Sequence, residues 1–184
     1  MSFVTSEKML LDAQAGGYAV GAFNVENMEM VKAVIAAAQE LKAPVMLQTT
    51  PSTIKYGTVE TYAAIVAAEA AKASVPVALH LDHGSSYELA IHAANSGYTS
   101  VMIDGSALTL AENIELTAKV VKEVKSLGIP VEAELGKVGG KEDDLDGGDD
   151  NPYTNPDEAK EFVERTGVDS LAVGIGTAHG VYKG

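Results

Sequence analysis

Residues 76–84 read Pro76-Val77-Ala78-Leu79-His80-Leu81-Asp82-His83-Gly84. In an extended chain successive side chains alternate, so Leu79 and Leu81 share one face while His80 and Asp82 share the other. The segment Val131-Glu132-Ala133-Glu134-Leu135 repeats the pattern, with both glutamates on one face. Ionisable groups on one face of a central strand are costly unless that face converges on a site. Several strands converge in this way in the interior of a closed parallel barrel, near its C-terminal mouth. The two segments therefore predict an α/β chain of the (β/α)8 TIM-barrel class.

The flanking sequence agrees. Short apolar runs at Val20–Val25, Pro44–Thr50, Pro76–Asp82, Ser100–Gly105, Pro130–Gly136 and Ser170–Gly176 read as strands. Between them, apolar residues at three- and four-residue spacing predict helices over Glu26–Lys42, Thr58–Ser74, Ser85–Ser96, Leu110–Leu127 and Pro156–Thr166, with a further helix over Ser6–Ala15. Gly97 and Gly128 stand where C-terminal caps belong, and Asn155-Pro156-Asp157-Glu158 has the order of a helix start. Strict strand–helix alternation implies parallel strands with right-handed crossovers. A doubly wound nucleotide fold would place a glycine-rich turn after its first strand, and Asn24-Val25-Glu26-Asn27 has no glycine. Six strands fall short of the eight a barrel needs. The expectation is thus a single, incomplete barrel domain over residues 1–184, supplying about the first six βα units of a longer protein. A polypeptide ending at Gly184 would then be aggregation-prone and inactive.

Composition narrows the function. The 184 residues are 46% hydrophobic and 21% charged, and 13 basic against 26 acidic residues give a net charge of −13. Such a chain repels phosphate on average, which argues against nucleic acid or an anionic membrane as partner. A phosphorylated ligand would need local donors or a metal. The absence of cysteine excludes disulfides, zinc–thiolate clusters and thiol catalysis. No secretion signal opens the chain and no apolar run reaches about 18 residues, which predicts a cytoplasmic protein.

Polar groups stand at the same end of five strands: Asn24, the His80/Asp82/His83 group, Asp104, Glu134 and His179. A single histidine at a strand end is most often structural; five strands contributing at one end are what a barrel active site requires. Imidazole and carboxylate without thiolate suit zinc or a similar divalent ion, with His83 and His179 as two ligands. His80 faces the barrel while His83 lies past the strand end, so His80 is read as a neighbour of the ligands rather than a ligand. His92 falls in a helix and reads as a surface or packing residue. No predicted strand contains lysine or arginine, so a covalent iminium route has no candidate there. The acidic run Glu142–Asp150 lacks the ligand spacing of a calcium loop and reads as a mobile, solvated segment. Gly174-Ile175-Gly176 is not followed by the helix start that a dinucleotide site needs.

The motifs His80-Leu81-Asp82-His83-Gly84, Glu132-Ala133-Glu134-Leu135-Gly136, Gly139-Gly140-Lys141-Glu142-Asp143, Tyr153-Thr154-Asn155-Pro156 and Gly176-Thr177-Ala178-His179-Gly180 occur in that order, after Ala22-Phe23-Asn24. Together they resemble the class II, zinc-dependent ketose-bisphosphate aldolases that act on fructose 1,6-bisphosphate or tagatose 1,6-bisphosphate. The resemblance implies reversible aldol cleavage to dihydroxyacetone phosphate and glyceraldehyde 3-phosphate. It makes Asp82 the acid/base at the C4 oxygen and Glu142 the group that moves the proton on the dihydroxyacetone phosphate carbon. It makes His83 and His179 zinc ligands, with Asp104 and Glu134 able to hold the metal in a more buried position. Asn24, Gly180 and Lys183 become substrate-binding residues. A third zinc histidine and a phosphate loop would lie beyond Gly184. The resemblance further implies a zinc cofactor, a monovalent cation near the phosphate site, and a homodimer or homotetramer. Taken without it, the residues leave open another metal-assisted reaction on a phosphosugar, such as epimerisation or hydrolysis, and a non-catalytic fragment or binding module.

Overall fold

The computed structural model describes residues 2–142, 145–146 and 153–180, with 139–142 and 145–146 described by their backbone. In chain order the first elements are α1 (Ser6–Gly16), β1 (Gly21–Asn24), α2 (Met28–Leu41), β2 (Val45–Thr49), α3 (Pro51–Gly57), α4 (Val59–Ala70), β3 (Val77–Leu81), α5 (Tyr87–Asn95) and β4 (Ser100–Ile103). There follow α6 (Leu110–Val124) with a 3-10 turn (Lys125–Leu127), β5 (Val131–Leu135), β6 (Gly139–Glu142), β7 (Leu145–Asp146), α7 (Pro156–Thr166), β8 (Ser170–Val173) and β9 (Ala178–His179).

β1, β2, β3, β4, β5 and β8 form one sheet in that order, each neighbouring pair parallel. The helices α2, α4, α5, α6 and α7 touch one another in the same succession. A doubly wound sheet reverses its strand order at a switch point. Here the order never reverses, so the described residues wind five consecutive βα units and the sixth strand of a (β/α)8 barrel. Among the described residues, β1 and β8 are the two edges of this sheet, and Phe23 on β1 is half exposed.

The main core lies between sheet and helices, where Leu47, Leu79, Leu81, Val101, Ile103, Val131 and Ala133 meet Val31, Val66, Ala93, Val120 and Phe162, all buried. A smaller cluster closes the N-terminal end of the inner face: Met9 of α1 packs on Met46 and Ala78, with Val4, Leu10 and Val20 around them. The interior above it is polar.

Local chemistry explains most helix starts. Asn27, Thr50, Thr58, Ser86, Thr109 and Asn155 each accept a hydrogen bond from the first turn that follows, and Thr109 with Glu112 completes a capping box. The predicted helix over Pro156–Thr166 is α7 as observed. Other bounds shift: Asn27 caps α2, so that helix starts later than predicted, and the run to Leu127 ends in the 3-10 turn. Two features lie outside the expectations. α3 fills the link between β2 and α4, and β7-β6-β9 make a second, three-stranded sheet. The Glu142 backbone therefore belongs to a short strand rather than an open loop. Asp104 stands one residue past β4 instead of on it. Residues 143–144 and 147–152 of the acidic run, and Lys183, lie outside the described residues.

Candidate active site

β3 ends in a turn that its sequence dictates. His83 takes a left-handed backbone at φ 48°, uncommon for a residue with a side chain. Gly84 follows, where a Cβ would lie 2.1 Å from the carbonyl oxygen of Met102, so only glycine fits against β4. The Gly84 carbonyl accepts from the Asp104 amide at 3.0 Å, which ties the two strand ends together. The turn aims His83 back over the sheet, where its Nδ1 lies 2.7 Å from Asp104 Oδ2 and 3.8 Å from Glu134 Oε2. Asp104 Oδ1 in turn accepts from the Ser106 amide at 3.0 Å.

His179 reaches the same place from β9. Its strand pairs with β6 in parallel, Gly140 opposite His179, and its ring stands edge-on to that of His83 with centroids 5.5 Å apart. On the other flank, the Gln48 amide donates one hydrogen to Asn24 Oδ1 at 2.7 Å and the other to Asp82 Oδ2 at 2.5 Å. Asp82, His83, Glu132, Glu134 and His179 thus line one cavity of about 290 Å³, with Gln48, Met102, Val138 and Ala172 completing its wall.

The electrostatics follow from crowding. Burial, then the charges of Asp82 and Glu134, push the Glu132 carboxyl up to about 7. Burial and the charge of Asp104 push Glu134 up to about 7 as well. Burial acts downward on His83, but the Asp104 hydrogen bond and the charges of Asp82, Asp104 and Glu134 outweigh it and raise the imidazole to about 9. Asp104 is buried too, yet its bonds to His83 and Ser106 hold it below the usual carboxylate value. Four carboxylates around so small a space hold more negative charge than the protein cations there neutralise. Potential ligand atoms of His83, Asp104 and Glu134 all lie within 4.8 Å of one another. This nitrogen-and-oxygen donor set fits a divalent ion of the zinc type.

The structure thus brings together Asp82, His83, Asp104, Glu134 and His179, with Asn24 joined through Gln48. Gly180 lies just past β9, exposed and with φ 80°. His92 lies on the surface beside Glu60, as expected. Sequence reasoning missed Gln48. Its signal was available, because it is the one strongly polar side chain in Val45-Met46-Leu47-Gln48 and shares the inner face with the residue opposite it, His80.

Residues 4–184 match the family model described as fructose-bisphosphate aldolase class-II. The chain is 48% identical over 182 residues to the fructose-bisphosphate aldolase of Thermus caldophilus, covering 98% of this chain and 59% of that protein. Among solved structures it is similar to the YdjI aldolase of Escherichia coli K12, at 42% identity and TM-score 0.86, over 96% of this chain and 64% of that one. It is also similar to the fructose-bisphosphate aldolase of Campylobacter jejuni, at 27% identity and TM-score 0.81, over 100% of this chain and 61% of that one. The chain spans about three fifths of the length of these relatives.

Proposed function

The chain belongs to the class-II fructose-bisphosphate aldolase family, and on that premise we propose that the protein cleaves fructose 1,6-bisphosphate reversibly to dihydroxyacetone phosphate and glyceraldehyde 3-phosphate. The observation that carries this reading is the convergence of Asp82, His83, Glu134 and His179 on one cavity at one end of a parallel sheet. Fructose is favoured over tagatose because the relative at 48% identity bears that name.

In this reading His83 and His179 would hold a zinc ion, and Glu134 and Asp104 are the carboxylates that could also bind it. Bound there, the ion supplies the Lewis acidity that charge developing at the substrate's ketone oxygen requires. Asp82 takes the proton from the C4 hydroxyl as the C3–C4 bond breaks and returns it in the aldol direction. Gln48 fixes the Asp82 carboxylate through its amide hydrogen. Asp104 holds Nδ1 of His83 and so orients that ring. Glu142 moves the proton on the dihydroxyacetone phosphate carbon. Asn24, Gly180 and Lys183 contact the substrate. Among the described residues no helix is long and apolar enough to cross a membrane, which accords with a cytoplasmic enzyme. The dimer or tetramer expected from the resemblance belongs to the same reading.

A coupled assay for triose phosphate tests the proposal. Activity lost on chelation and restored by zinc or cobalt is the expected result. Activity that survives exhaustive chelation, or substrate trapped on the protein by borohydride, would refute the metal-dependent route.

A further inference from the structure

Beneath the cavity the inner face carries a row of polar side chains that the proposed chemistry does not use. Ser6, the first residue of α1, is buried, and its Oγ donates to Ser100 Oγ on β4 at 2.9 Å. Ser100 Oγ lies 2.8 Å from Nδ1 of His80 on β3. Nε2 of the same ring lies 3.6 Å from Glu132 Oε2 on β5, beyond a formed hydrogen bond but close for an electrostatic approach. Ser6, Ser100 and His80 are all buried.

The polarity of this row is fixed by counting protons. A hydroxyl carries one hydrogen and two lone pairs. Ser6 directs its hydrogen at Ser100, which occupies a lone pair there. Ser100 could accept again with its second lone pair, but its own hydrogen would then be buried without an acceptor, so it is directed at His80 Nδ1. A nitrogen that accepts is unprotonated, so a neutral ring carries its hydrogen on Nε2. The ring is neutral near pH 7, because burial and the charge of His83 push it down to about 3.

We propose that the Ser6–Ser100 pair locks His80 as the Nε2–H tautomer, and that this N–H faces the Glu132 carboxylate and so positions it on the cavity wall. The opposite tautomer would turn a lone pair toward the Glu132 carboxylate, which repels it. His80 is then a positioning residue whose tautomer is set from the N-terminal helix, across the width of the sheet. Its bearing on turnover rests on the aldolase reading; the tautomer itself does not.

The test is a long-range 1H–15N spectrum of the full chain labelled in histidine, with His80 assigned from the signals missing in His80→Gln. The expected spectrum shows a protonated Nε2 and an unprotonated Nδ1. Ser100→Ala removes the donor to Nδ1. It is expected to populate the Nδ1–H form, whereas Ser100→Thr keeps the parent pattern. An Nδ1–H ring in the parent, or an unchanged tautomer in Ser100→Ala, would overturn the proposal. The parent spectrum decides the tautomer even where Ser100→Ala does not fold. No turnover enters these readouts, so a failed aldolase assay leaves the result standing. In an active enzyme, Ser100→Ala is expected to lower kcat about tenfold with little change in KM, and Ser100→Thr to restore it.

Discussion

One strand shows the two halves of this molecule side by side. On β3, Leu79 and Leu81 point outward into the layer beneath the helices and are wholly buried among apolar neighbours. Between and just beyond them, His80 and Asp82 point inward, each held by a polar side chain: Ser100 for His80, Gln48 for Asp82. The outer face works by shared burial, so each contribution is a volume spread over many contacts. The inner face works by specific pairing, so a lost partner leaves a buried charge or donor uncompensated. The two faces should therefore fail differently: the outer by a graded loss of packing energy, the inner by an orphaned polar group and lost chemistry.

Substitutions can break that division. The largest effect is expected for Asp82→Ala, with kcat for cleavage lowered about 10²–10⁴-fold, the value of a positioned acid/base. Metal content and proton exchange on dihydroxyacetone phosphate should hardly change. Glu142→Ala should instead depress exchange along with turnover, and equal loss of exchange in both variants would undo the assignment of roles. Leu79→Ala, one strand position from His80, should cost about 2–5 kcal/mol of unfolding free energy, measured in urea, while the folded fraction keeps its metal affinity. Gly84→Ala should disturb both faces, because the new methyl meets the Met102 carbonyl and the turn that aims His83 must shift. About 1–3 kcal/mol of stability and a measurable loss of metal affinity are expected together, by urea titration and competition with a chelator. The smallest effect near neutrality concerns pH. The folded value of His80 is about 3 against an ordinary 6.5, so on acidification the unfolded chain binds the proton first. Stability is then full above about pH 6.5 and falls toward pH 3, by about 1.4 kcal/mol for the first unit. The acid limb should be shallower in His80→Gln and unchanged in slope in Leu79→Ala.

The outer face was the more legible of the two in the sequence. Period-two runs between helical periods placed six strands, and caps such as Asn155-Pro156 placed a helix to the residue. The link helix α3 escaped because its buried residue is Thr53, which gives no apolar period, although Thr50 and Pro51 offered a cap and a first-turn proline. The small β7-β6-β9 sheet escaped for another reason. Gly139 and Gly140 have no side chains to alternate, and their partner is the distant Ala178-His179 pair. On the inner face, Asp82, His83 and Glu134 announced themselves as charges inside apolar strands. Gln48 and Ser100 did not, because a neutral polar residue in a strand costs little once paired, and the pairing is visible only when the strands are side by side.

The inner face at the C-terminal end of the sheet is expected to bind a divalent metal independently of the outer face. This independence is tested most directly by zinc titration of the protein beside its His83→Ala and Leu79→Ala variants, read by calorimetry. One site is expected in the parent and in the folded fraction of Leu79→Ala, with binding weakened at least about tenfold in His83→Ala. Undiminished zinc affinity in His83→Ala would contradict it.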